Sequence, residues 1–131
     1  MSQIQPASKQ AENRAPAAPG GLVIDLVHLS RQTLGDAALE SELLRLFDHQ
    51  AAGFMVRLRA ETQPHEGAKC ADLAHMLKGS ARAVGAFALA DAAERVERAS
   101  RANPPENAVA ALLADLELAI ERTRADIAQL I

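Results

Sequence analysis

The chain has 131 residues, with 14 Lys+Arg against 17 Asp+Glu for a formal net charge of −3, one Cys, and three aromatics, all Phe. That length supports one domain of ordinary size with a real core, and a mildly acidic chain without Trp or Tyr lacks both the electrostatic footprint and the stacking rings of nucleic-acid binders. Ala supplies 29 positions and β-branched residues are scarce, so strong helix formers carry the 49% apolar fraction and an all-β fold is disfavoured.

The lead-in, Met1 to Gly21, is rich in Gln, Ala, Pro and Gly and holds no apolar run long enough for a signal peptide or a membrane span. It is expected to be disordered, with residues 22–131 forming the domain and the protein cytoplasmic. Without Lys9, Arg14 and Glu12 the domain keeps 12 basic and 16 acidic residues, net −4. The lone Cys70 has no partner for an intrachain disulfide and no C-x-x-C neighbour, which fits a reducing compartment and a place in the core.

From Leu22 onward apolar residues recur at helical spacing. Asp25 is placed to cap a short first helix that ends before Gly35 and buries Leu26 and Leu29. Asp36 is placed to cap a long second helix with the stripe Leu39, Leu43, Leu46, Phe47, Phe54, Leu58, which Thr62 to Gly67, with Pro64, interrupts. A third helix carries Cys70, Leu73, Ala74, Leu77, Ala81 and Val84 and ends or bends at Gly85. A fourth runs through Leu89, Ala92, Ala93, Val96 and Ala99. Asn103-Pro104-Pro105-Glu106 is a start signal: a capping Asn, Pro at the first helical position and an acid in the first turn. The fifth helix then follows Val109, Leu112, Leu113, Leu116, Ile120, Ile127 and Leu130. Nothing reads as a strand or a repeat. The expected fold is all-α: an antiparallel up-and-down four-helix bundle with a short additional N-terminal helix.

The stretch from Ala74 to Gly85 carries the chemistry. With Leu77 at 0° on a wheel of about 100° per residue, Cys70, Leu73, Ala74, Ala81 and Val84 fall within roughly 60° of it and form the core face. Lys78 lies near 100°, Arg82 near 140°, His75 near 160° and Gly79 near 200° by the same arithmetic. His75 therefore points at solvent, with cations beside it and a bare glycine one turn on. The wheel places Ala68, Ala71 and Ala86 on the same outward face, giving a flat stripe of small residues. A mid-helix Gly costs on the order of 1 kcal/mol relative to Ala, so Gly79 calls for a reason, and clearing the space beside the imidazole supplies one. An exposed His on a flat surface is a poor general acid or base, because nothing excludes water, but another protein can reach it. The two cations would stabilise negative charge added to that ring, such as a phosphoryl group.

His75-Met76-Leu77-Lys78-Gly79, followed by Gly85 ten residues after the His, by Leu89 and by Val96-Glu97, resembles the signature of histidine-containing phosphotransfer (HPt) domains. Leu46-Phe47 and Leu58 upstream support the resemblance, which spans roughly Leu22 to Leu130 with its specific core between Ala74 and Arg101. It implies a two-component relay module, whose exposed His takes a phosphoryl group from a receiver-domain aspartyl phosphate and passes it to another receiver aspartate. By position, it makes His75 the phosphoacceptor, Lys78 the nearby cation, Gly79 the residue giving access, and Glu97 the acceptor of the other ring N–H. Arg101 becomes an auxiliary basic contact. Arg82 is added from the wheel alone, and Met76 belongs either to the docking surface or to the core. The chain shows no metal-binding carboxylate cluster and no nucleotide loop, so no intrinsic kinase activity and no bound cofactor are expected, and the receiver must bring the Mg²⁺. The expected partners are receiver domains and a hybrid histidine kinase, with no nucleic acid and no membrane, and the protein is expected to be a monomer.

Two other classes of function compete with this one. A metal-binding bundle would use His28, His49, His65 and His75, yet no pair has the i, i+3 or i, i+4 spacing with acidic partners that such sites need. A non-catalytic adaptor would dock on a receiver or kinase without relaying phosphate, and the joint presence of His75, Lys78, Gly79 and Glu97 argues against it.

Overall fold

The computed structural model describes residues 23–60, 67–102 and 106–131. The lead-in, the segment from Thr62 to Glu66 and the start signal at Asn103 to Pro105 lie outside the described residues. The described chain is all-helical: α1 Leu26–Thr33, α2 Ala37–Ala60, α3 Gly67–Val84, α4 Phe87–Arg101 and α5 Glu106–Leu130.

Local chemistry sets the boundaries. Asp25 caps α1, its Oδ1 accepting the His28 N–H at 3.0 Å, and Asp36 accepts the Leu39 N–H at 3.0 Å at the start of α2. The last turn of α3 closes by a Schellman pattern: the Ala86 N–H reaches the Ala81 carbonyl at 2.8 Å and the Gly85 N–H that of Arg82 at 3.2 Å. Gly85 sits at φ +86°, and a Cβ there would stand 2.8 Å from the Asp25 carbonyl oxygen. The Asp25 N–H meanwhile donates to the Gly85 carbonyl at 2.9 Å. Only glycine permits both the left-handed turn and this approach, so Gly85 fixes the α3–α4 corner and also moors α1 to it.

Each of the four long helices packs on its neighbour in sequence, and α5 returns to α2 to close the ring; α3 and α4 share the most extensive interface. The short α1 lies on α2 and α3. The core contains Ile24, Phe47, Leu58, Leu77, Leu89, Leu116, Ile120 and Ile127, together with small residues such as Ala51, Ala74, Ala81 and Ala93 that let the helices approach closely. Among the described residues no helix is long and apolar enough to cross a membrane.

Two expectations need correction. In α2 the buried stripe is Leu44, Phe47, Ala51, Phe54 and Leu58, while Leu39 and Leu46 are exposed and Leu43 is half-buried. The helix has more apolar residues than one stripe can hold. The face with two Phe and a small Ala at strict three-four spacing takes the core and leaves the leucines one position round at its edge. In α3 and beyond, Ala71 and Ala86 are buried rather than outward. The wheel ignores the neighbour: α4 covers that flank of α3, and at Gly85 the chain turns, so helical angles no longer apply to Ala86. Ala68 lies outside the side chains described. The third, fourth and fifth stripes hold, except that Ala99 is half-buried and Val109, Leu112 and Leu130 pack only partly on the core.

Candidate functional site

His75 lies mid-way along α3, two residues before the core residue Leu77 and on the opposite face. Its side chain is 61% exposed. The ring's Nδ1 stands 2.9 Å from Oε2 of Glu97, which α4 presents across the helix pair. The other carboxylate oxygen, Oε1, accepts from Lys78 Nζ at 2.8 Å. Arg101, one turn after Glu97, reaches Oε2 at 3.4 Å and Asp72 Oδ1 at 3.2 Å. One carboxylate thus gathers three donors from two helices.

The Glu97 pKa is lowered from its ordinary value, first by the hydrogen bond from Lys78 and then by that from His75, against the opposing effect of burial. An ionised carboxylate can only accept. The bond to His75 therefore requires the ring proton on Nδ1, and the neutral ring keeps its lone pair on Nε2. No side chain among the described residues bonds Nε2. Next to it on the helix surface is Gly79, where an added Cβ would meet nothing within 4 Å. The packing of the bundle does not require a glycine there, so its stability cost has no internal return.

The remaining residues singled out from the sequence divide into two groups. Lys78 is drawn into the α3–α4 interface, its side chain only 15% exposed, and is committed to Glu97. Met76 is on the surface, 54% exposed. Arg82 is half-exposed and bonds Glu94 Oε1 at 3.1 Å, while Arg98 pairs with the other oxygen of Glu94. Nothing in the sequence singles out Glu94, Arg98 or Asp72. The i, i+4 pairs Glu94/Arg98 and Glu97/Arg101 were readable as helix-surface partners, but nothing in the sequence said which acids would also reach across to α3.

The other histidines stand apart. His28 packs edge-on against Phe87 at 5.1 Å between ring centroids, His49 is exposed on α2, and His65 lies outside the described residues. Among the described residues no group of three or more His, Cys, Asp or Glu is placed to hold a metal ion. Cys70 is buried with its thiol unpaired.

The Hpt domain family model matches residues 42–126, well over half of the chain, and the chain belongs to the Hpt domain family. Membership gives it a histidine phosphotransfer role in a phosphorelay, and Hpt domains generally interact with receiver domains and kinases. The matched span contains every site residue named above and leaves α1, the first turn of α2 and the last turn of α5 outside. No curated protein and no solved structure matches the chain.

Proposed function

We propose that this Hpt domain relays phosphate through His75, accepting the phosphoryl group on Nε2 from an aspartyl phosphate of one receiver domain and passing it to the aspartate of another. The observation that carries the reading is the Nδ1 to Glu97 hydrogen bond on an otherwise exposed ring, which leaves Nε2 as the nucleophilic atom beside a bare Gly79.

The Nε2 lone pair attacks phosphorus in line with the aspartyl oxygen; the N–P bond forms, the P–O bond breaks, and the receiver's aspartate leaves as a carboxylate. The ring keeps its Nδ1 proton and becomes cationic, and the Glu97 carboxylate, already ionised and in contact, stabilises that charge. Onward transfer is the reverse step with a second aspartate as nucleophile. Lys78 acts through Glu97, holding it in place and ionised. Met76 and Arg101 border the ring and form part of the surface on which a receiver sits. This chain supplies the nucleophile and the docking face, while the receiver brings Mg²⁺ to neutralise the transferring phosphoryl group. A hybrid histidine kinase is the source of phosphate, and the domain has no kinase activity of its own. We read the four long helices as an antiparallel up-and-down bundle, because the connections at 61–66, 85–86 and 102–105 are too short to return a chain along a helix before the next begins. The protein is read as a cytoplasmic monomer.

Incubation with a phosphorylated receiver domain and Mg²⁺ tests this. Label moves to the wild type and not to His75→Gln, which keeps its helicity. Binding of the receiver without any transfer of label contradicts the relay and supports a non-catalytic adaptor.

A further inference from the structure

Two carboxylates on α4, Glu94 and Glu97, are built alike. Each takes a cation from α3, Arg82 or Lys78, and each takes an arginine four residues on along α4, Arg98 or Arg101. The difference is in commitment. Lys78 is 15% exposed and its bond to Glu97 is the main cause of that carboxylate's lowered pKa, so withdrawing it would weaken the group that holds the ring. Arg82 is 51% exposed, and an ion pair that open to solvent is worth little. When Arg82 leaves, Arg98 still pairs with Glu94, and no carboxylate is stranded.

Arg82 stands on the same face of α3 as the ring that would carry phosphate. Arg101 shares Oε2 of Glu97 with Nδ1 and is also held by Asp72 Oδ1, so it is tied to the carboxylate on the Nδ1 atom. Arg82 follows His75 by seven residues, nearly two full turns, so the two side chains stand on one face about 10 Å apart along the axis with Gly79 between them. Helical side chains lean towards the N-terminus, His75 and Arg82 alike, so their separation is unchanged by it and has to be spanned by the long arginine side chain passing over Gly79. Its guanidinium rests on Glu94, three residues or about 4.5 Å of rise from the carboxylate that holds the ring. Gly79 has no side chain to block the remaining distance, and a Cβ there would meet no atom of this chain.

We infer that Arg82 is the cation that engages the phosphoryl group on His75, exchanging Glu94 for phosphate oxygens while Lys78 stays on Glu97, and that Glu94 is the positioning residue that keeps Arg82 ready. The inference rests on His75 being the phosphoacceptor. A dianionic phosphoryl group offers a guanidinium a stronger, bidentate partner than a half-exposed carboxylate, so the exchange runs downhill once the phosphate is present. Glu94 sets how far it runs.

The test is a ³¹P titration of the full chain phosphorylated on His75 by a small phosphoramidate, following the last proton of the phosphoryl group. A cation in contact favours the dianion and lowers the midpoint. Arg82→Gln is expected to raise it by about half a pH unit, Arg82→Lys to restore part of the difference, and Glu94→Gln, which frees Arg82, to lower it below the wild type. Lys78→Gln is expected to move it less than Arg82→Gln. A wild-type midpoint in Arg82→Gln, or a larger rise in Lys78→Gln, overturns the inference and leaves the phosphoacceptor intact. If His75 of the wild type takes no phosphoryl group, the phosphoacceptor assignment itself falls, and this inference with it.

Discussion

Gly79 and Gly85 stand six residues apart and impose opposite constraints. At Gly79 the helix is regular and a methyl group would meet nothing. Gly79→Ala is therefore expected to stabilise the fold by about 0.5–1 kcal/mol, the usual helix-interior difference, while slowing transfer from a receiver, and Gly79→Leu to slow it further. Denaturant melts beside transfer rates check this, and equal transfer by Gly79→Leu would show that no partner approaches there. At Gly85 the backbone is left-handed and pressed against Asp25. Gly85→Ala must move the Asp25 backbone or unwind the corner, and is expected to cost about 2 kcal/mol or more, read as a lower urea midpoint. Both glycines were legible in the sequence, Gly79 as clearance beside the imidazole and Gly85 as the residue at which α3 ends. What the sequence does not show for Gly85 is its contact with Asp25, 60 positions earlier, which no local pattern encodes.

The α3–α4 pair shows what helical periodicity can and cannot carry. The core face of α3 from Cys70 to Val84 was legible because its spacing is strict, and the wheel also put His75 outward and Gly79 beside it. It misplaced Ala71 and Ala86 and gave no sign that Lys78 would be drawn inward, because a wheel has no neighbours and α4 buries that flank. In α2 the error was of another kind: the apolar residues fill more than one stripe, and which stripe is buried is decided by packing against α3 and α5. The lowered pKa of Glu97 has a consequence for this helix pair. A carboxylate whose folded-state pKa lies below its unfolded value contributes stability that is fully present above the unfolded value of about 4.3 and is lost as pH falls through the folded value. In Glu97→Gln that acid-side loss is expected to shrink, so the stability curves of variant and wild type converge as pH falls from 5 towards 2. Parallel curves over that window would mean that Glu97 does not titrate as a paired group. The same variant, unable to stabilise the cationic phosphorylated ring as a carboxylate does, is expected to transfer more slowly at neutral pH.

For the whole molecule, the fold is the means of presenting one ring. The exposed His75 takes no part in the core, whereas Leu77, two residues on, is fully buried. Function and stability should therefore separate. Ile120, fully buried on α5, is far from the ring in the sequence and belongs to the core, so Ile120→Ala is expected to cost about 2–5 kcal/mol while the folded fraction still accepts phosphate. His75→Gln is expected to melt as the wild type does and to accept none. The all-helical class and the site helix were readable from residue order alone; the carboxylate hubs that organise the site were not, since they are made by two helices meeting. The most direct measurement is to treat wild type and His75→Gln with a small phosphoramidate donor and map the modified residues by mass spectrometry under alkaline conditions that preserve phosphohistidine. Modification of His75 in the wild type, with no such site in the variant, is the result expected. Modification of all the histidines alike, or of none, would contradict an exposed, oriented nucleophile at His75.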